Sequence, residues 1–461
     1  KSFTEDRFLS VYMTGSYTYN NRYTFFGSLR YDGSNMFGVD RKYKYLPLWA
    51  VSGAWNINRE AFLSDADWLS DLKLRASYGV QGNVDKDTSP LVVGEWDNTQ
   101  VLPDNSESNI IVSSPPNQYL RWEKTTNWNG GLDVAVLGNR IAFTADVYRR
   151  VSDDLIGMRS LPGENGFDYS TMNWAKLTNR GYELSLSTVN VKTKDFRWVM
   201  DFNLAHNKSK INRLNVRDNS YEPSREGYSV GAVFSLKTAG LDENGLQMFY
   251  NKQGEKVSFN DFFGLEYGYM MGGLIPFLKS NLSAEEYRNL FTYEGTTEPK
   301  FTGGWINRFY YKNFDLTVSA SFVLDQTVQE QPFYNPVQTS PGQNYSRRMS
   351  QIWSPDNTSG KYPRIMGTYT EGEENWAYQW LGMLDPGNSY RKYYYWFKKM
   401  SYMRINSIRL GYTFPERLLG HIGFSSARIS FEARNPFVFG SSYKGYFDPE
   451  TYGNIYTQPL A

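Results

Sequence analysis

Between Leu69 and Gly82 the sequence reads LSDLKLRASYGVQG, and its two parities separate by polarity. Leu72, Leu74, Ala76 and Tyr78 take one parity. Lys73, Arg75, Ser77 and Gly79 take the other. A period of two is the strand period, so such a segment turns one face to an apolar medium and one to a polar medium. The polar medium is either bulk water or a wet lumen, and the rest of the chain must decide which.

The same pattern recurs along the chain. Strands are expected at Phe8–Asn20, Arg22–Asp32, Leu46–Asn58, Leu69–Gly82, Arg121–Leu137, Arg140–Val151, Lys176–Val191, Asp195–Asn207, Lys300–Lys312, Phe314–Asp325, Met400–Phe414 and Phe424–Asn435. Asn20-Asn21, Gly138-Asn139 and Asn313 read as tight turns. Arg59–Trp68 reads as a short connection with about one helical turn. Asn83–Leu120 and Ser152–Ala175 read as loops, about Lys208–Pro299 and Gln326–Trp396 as long excursions, and Pro436–Ala461 as free of strands.

Connection length alternates. It is short after every odd-numbered strand and long after the even ones. A meander across a bilayer has this asymmetry, with tight turns on one side and elaborated loops on the other. The expected strands also exceed the soluble mode of about 5–6 residues and suffice for a tilted membrane span of about 9–11. Composition agrees: of 461 residues, Tyr accounts for 36, Phe for 29, Trp for 13 and Gly for 39. Mean hydropathy is −0.58, and no run of about 18 apolar residues supplies a transmembrane helix. The expected fold is all-β: a transmembrane antiparallel β-barrel, or a large part of one.

In such a barrel the polar parity faces the lumen. Arg75, Asp146, Glu183, Arg197, Asp201, Asp315, Arg409, Arg428, Glu432 and Arg434 all oppose apolar parities. An arginine facing lipid at mid-depth costs about 2–4 kcal/mol, and one facing a wet interior costs little. The competing fold is a water-soluble carbohydrate-binding sandwich whose charged parity is its solvated surface. It gives no reason for loop lengths to sort by parity.

Other chemistries are sparse. A net charge of +1 provides no field for nucleic acid. No cysteine is present, which excludes disulfides and thiolate metal sites. His206 and His421 are isolated and read as structural. Carboxylate pairs such as Glu285-Glu286 and Glu373-Glu374 read as solvated loop charge, so no enzyme is expected. Binding is expected in the loops. Met366–Trp396 holds Tyr369, Trp376, Tyr378, Trp380, Tyr390, Tyr393, Tyr394, Tyr395 and Trp396, and Trp96, Tyr119 and Trp122 add to the same side. Aromatic faces stack on sugars, anchor protein partners, pack loops or form interfacial girdles. Tyr369, Trp376 and Trp380 are the candidate substrate contacts.

Six segments carry a resemblance: GSLRYDGSNMFG, LPLWAVSGAWNINREAFL, WLSDLKLRASYGVQGN, LRWEKTTNWNGGLDVAVLGNRIAFTADVY, LTNRGYELSLSTVNV and SYMRINSIRLGYTFPERLL. In order and wording they resemble the barrel domain of SusC/RagA-type TonB-dependent outer-membrane transporters of Bacteroidota. The resemblance implies a barrel of about 22 strands around a plug. Counting inward and outward runs makes this chain roughly strands ten to twenty-one, a fragment without plug, early strands or closing strand. The opening KSFTEDRF, which is not a signal peptide, agrees with a start inside a longer protein, although by itself it also suits a cytosolic chain. The resemblance further implies energy from TonB through the plug, a SusD-like lipoprotein lid, and import of a bulky polar nutrient such as an oligosaccharide. Peptide cargo, or a porin or adhesin, remains an alternative. Gly231–Gly245 resembles a loop of the same family. Asp242, Glu243 and Asn244 there are hard-cation ligand types, but their spacing does not form a calcium loop, so no cofactor and no metal are expected, with a structural calcium as the lesser alternative.

Overall fold

The computed structural model describes residues 7–35, 45–84, 91, 93–102, 105–167, 169–215, 220–270, 275–367, 372–419, 423–440 and 448–451. Its frame is a 12-stranded antiparallel sheet in which each strand pairs with the next one of the set. We label these strands β1 (Phe8–Tyr19), β2 (Tyr23–Ser34), β3 (Tyr45–Asn56), β4 (Leu69–Asn83), β5 (Glu123–Val136), β6 (Ile141–Ser160), β7 (Tyr169–Lys192), β8 (Phe196–Arg213), β9 (Phe301–Tyr311), β10 (Phe314–Gln329), β11 (Phe397–Thr413) and β12 (Arg428–Phe439). All twelve expected strands are present in the expected order. Among the described residues β1 and β12 pair only on their inner sides, so the sheet is an open arc.

The turns on one side follow from residues that tolerate left-handed backbone. Asn20 and Asn21 hold φ of 48° and 55°, and the Arg22 amide donates to the Tyr19 carbonyl at 2.9 Å. Leu137, Gly138 and Asn139 also have positive φ and close the β5–β6 turn. Asparagine and glycine reach this region cheaply. Segment 57–68 contains two 3-10 turns, Ile57–Arg59 and Ala61–Leu63.

Three expectations need correction. Ser152–Ala175 is mostly strand: β6 and β7 run 20 and 24 residues and form a long hairpin that projects past the rest of the sheet. Asn83–Leu120 contains a separate hairpin, Val93–Leu102 with Asn105–Ser114. The last strand starts and ends later than expected and runs through Pro436 to Phe439. Proline is tolerated there because Asn435-Pro436 fall in a register shift between the Ile405–Phe437 and Ser407–Arg434 pairs, a bulge where a missing N–H breaks no ladder.

The main hydrophobic core lies outside the sheet, with a smaller cluster of Val328, Met400 and Tyr402 on β10 and β11. Segments 214–300 and 330–396 pack on each other around Leu236, Phe249, Phe262, Phe263, Tyr287, Tyr393 and Trp396, all buried. Short pieces of regular structure frame it: Ala232–Leu236 pairs with Phe291–Thr296, and the helix Gly372–Gln379 adds Ala377. By contrast β1 is exposed along its whole length. A sheet one layer thick buries little against itself, so its faces need partners other than bulk water.

Candidate functional site

The pairing register assigns faces. Ladder neighbours share a face, so Leu74, Leu132, Ala145, Leu184, Leu204, Gly303 and Phe322 form one apolar row across β4 to β10. One residue along, Arg75, Gly131, Asp146 and Glu183 form a row on the opposite face. Continuing the register puts Arg197, Asp201, Asp315, Arg409, Arg428, Glu432 and Arg434 on that same face. The ten expected polar-face residues therefore lie together on one surface.

That surface is wired by ion pairs. The Arg75 guanidinium donates to Asp133 (2.7 and 3.1 Å) and Asp146 (3.2 and 3.1 Å). Thr144 also donates to Asp133 at 3.1 Å. Asp201 pairs with Arg308 and accepts from Ser187 at 2.6 Å. Arg428 donates to both oxygens of Asp315 at 2.9 and 2.7 Å. Arg197 lies over the ring of Tyr310 at 6.0 Å. Arg434 stands 3.5 Å from Glu432 on its own strand. Glu183 lies beside Asp146, and Arg409 sits between Thr317 and Glu432 in the ladder.

Two glycines make the longer pairs reachable. Gly131 lies between Arg75 and Asp146, and a Cβ there would meet the guanidinium at 2.7 Å and the Asp146 carboxylate at 2.8 Å. Gly411 stands in the same relation to Asp315 and Arg428, with both at 2.5 Å from a would-be Cβ. In each case the missing side chain lets an arginine reach a carboxylate across a strand. Asp133, Arg308, Gly131 and Gly411 were not singled out from sequence. Their roles depend on cross-strand register, which periodicity along one strand does not contain.

The aromatic candidates are placed differently from expectation. Trp380 is only 3% exposed. Its ring lies 5.5 Å from Phe263 and 6.4 Å from Tyr287, so it is a packing residue of the loop core and offers no free face for a sugar. Trp376 is half-buried, edge-on to Tyr267, and donates its indole N–H to the Tyr267 hydroxyl at 3.0 Å. Tyr369 and His421 lie outside the described residues. Tyr390, Tyr393 and Trp396 are core as well, and Trp122 is buried beside Leu120. Among the described residues Trp96, at 79%, Tyr119, at 58%, and Tyr394, at 45%, are the open aromatics of the expected set. His206 holds the Lys300 carbonyl through Nδ1 at 2.6 Å, a structural link between β8 and the start of β9.

The Asp242 carboxylate accepts from the amides of Asn244 (2.9 Å) and Leu246 (2.7 Å). It closes the turn of that loop. Among the described residues no three His, Asp or Glu side chains converge as a metal set.

Burial pushes the phenols of Tyr287, Tyr334, Tyr390, Tyr393 and Tyr395 above their ordinary range. A raised folded-state value means the neutral form is favoured in the fold. The resulting stability is complete below the free tyrosine value, about 10, and is lost as pH rises through the folded values. The loop core is thus expected to open in one cooperative alkaline step, read by tyrosinate absorbance together with protease sensitivity. Ionisation of every tyrosine at its ordinary pH, with the loops still protected, would contradict this.

Residues 2–269 match the family described as TonB dependent receptor-like, beta-barrel. The chain belongs to this family. Its barrels sit in the bacterial outer membrane, and its members are receptors and transporters rather than enzymes. The TonB-dependent receptor SusC of Bacteroides thetaiotaomicron is 28% identical over 469 residues, which is 99% of this chain and 42% of that protein. The TonB-dependent receptor P3 of Formosa agariphila is 28% identical over 464 residues, 97% of this chain and 42% of that protein. The chain thus spans less than half the length of the curated relatives it matches. Among solved structures, the RagAB peptide transporter shares the fold with a TM-score of 0.71 at 22% identity, over 95% of this chain and 45% of that one. The expected SusC/RagA kinship is therefore found in both sequence and fold, and the membrane-barrel reading displaces the soluble sandwich.

Proposed function

We propose that this chain forms wall and extracellular cap of a TonB-dependent importer of a bulky polar nutrient, with an oligosaccharide as cargo class. The ionic face carries the reading. A surface wired by Arg75, Asp133, Asp146, Asp201, Arg308, Asp315 and Arg428 suits a hydrated bore and is costly against acyl chains. The apolar row through Leu184 suits lipid. We assign the ionic face to the lumen on that basis.

Among the described residues no strand pairs with the outer edges of β1 and β12, which supports a second element of the proposal. Open backbone does not persist in hydrocarbon, so further strands complete the ring and enclose a plug through which TonB acts. A surface lipoprotein of the SusD kind then covers the cap. Its docking is supported by the exposed Trp96 and by Ile110, Ile111 and Val112 on the 93–114 hairpin, a run of open apolar side chains that water alone does not favour. Peptide is the second cargo reading, since RagAB is a peptide transporter. That likeness speaks for the fold alone, so cargo is decided by experiment. The complex is purified from native membranes and its retained ligand and lipoprotein are identified by mass spectrometry. A lipoprotein with bound glycan, and uptake that stops without TonB, is the expected result. Uptake unaffected by loss of TonB would make the barrel a passive porin.

A further inference from the structure

We propose that the apolar face carries, at its outer rim, a docking groove for the phosphorylated headgroup of an anionic glycolipid of the outer leaflet. This rests on the assignment of that face to lipid.

The observation is a row of like charges. Arg149 on β6 is the ladder partner of Arg180 on β7, and Arg180 is the partner of Lys208 on β8. All three are exposed, and among the described residues none carries an ion pair. Like charges directly opposite one another weaken a sheet, so three in succession have no structural rationale of their own.

Their place on the sheet is specific. They lie on the face of Ala145, Leu184 and Leu204, four residues further along each strand, about 13 Å at 3.3 Å per residue. The direction is toward the long loops. The same ladder row continues into Trp128 and Tyr78, both exposed. Exposed Trp and Tyr on a lipid-facing surface mark headgroup level. The cations thus stand where acyl chains give way to headgroups.

A concavity accompanies the row. A groove of about 1190 Å³ is lined by Arg149, Arg180, Lys208, Lys210, Lys300 and Lys399. Its acidic residues are Glu294, Glu298 and Asp325. Two of them are already engaged: Glu294 by Lys237 and Ser235, and Glu298 by Ser209 and Ser229. Lys399 holds the Thr327 hydroxyl at 3.0 Å, which fixes one rim. A concave, cationic site beside an apolar wall fits an anion that is itself attached to acyl chains.

The test uses the full-length transporter in nanodiscs of phosphatidylethanolamine containing phosphorylated lipid A, dephosphorylated lipid A, or neither. Lipid retained after washing is measured by mass spectrometry. Wild type is expected to retain the phosphorylated form alone. The variant Arg149→Gln/Arg180→Gln/Lys208→Gln should retain it about a hundredfold less well, at roughly 1 kcal/mol per cation. The charge-keeping Arg149→Lys/Arg180→Lys/Lys208→Arg should bind as wild type does, which separates charge from folding damage. Equal retention by wild type and the glutamine variant overturns the proposal, as does equal retention of both lipid A forms. Binding of a soluble sulfated oligosaccharide with no preference for phosphorylated lipid also overturns it, because the groove would then serve cargo. The face assignment is checked separately by arginine at Leu184. If that variant fails to assemble while the glutamine variant still holds lipid A, only the docking groove is lost.

Discussion

Leu184→Arg is expected to abolish stable assembly in the outer membrane, while its neighbour Ser185→Arg assembles normally. Leu184 pairs with Ala145 and Leu204 in the apolar row, whereas Ser185 pairs with Thr144 and Asn203 on the ionic face. The two substitutions add the same side chain one residue apart, so helix or strand propensity cannot separate them. What separates them is the medium: about 2–4 kcal/mol for arginine at the midplane against lipid, and about nothing against a wet bore. Total stabilities are commonly only 5–15 kcal/mol, so the first change is severe. Membrane fractionation and heat-modifiable mobility on gels report the outcome. Equal levels of both variants would mean that the faces are reversed.

Trp396→Ala is expected to collapse the cap and leave the sheet intact. Trp396 is fully buried. Its ring stacks on Tyr362 at 5.4 Å and 13°, and meets Phe333, Tyr390 and Tyr395 edge-on. Removing a buried indole costs about 3–5 kcal/mol through lost burial and the cavity left behind. The sheet draws on a different source of stability, its ladder and its membrane, so the damage stays local. Limited proteolysis of intact cells should cut the variant within segments 220–396 while the barrel remains in the membrane fraction. Trp68→Ala, at an exposed position outside the cap, is the matched control and should keep full protection. Cap resistance unchanged in Trp396→Ala would refute the shared core.

The sheet was legible because its signal is local. Alternation through Phe143, Ala145 and Val147 against Thr144, Asp146 and Tyr148 needs no knowledge of neighbours. What failed was non-local. Pro436 reads as a strand breaker unless the register shift against β11 is known to fall on it. The 93–114 hairpin hides in Asn, Ser, Thr and Gln, with no clean alternation to announce it. Trp380 reads as a surface aromatic because it sits in a polar loop. Its burial is created by Phe263 and Tyr287, about a hundred residues away in the chain. The ion pairs over Gly131 and Gly411 likewise require three strands in register before the glycines acquire meaning.

The two segments that build the cap are inserted on either side of the β9–β10 hairpin, yet neither closes its interior without the other. Heredity must therefore treat them as one cassette. Recombination that exchanged a single insertion between relatives would bring a mismatched half of the aromatic interior, and hybrids that survive should carry both insertions from the same parent.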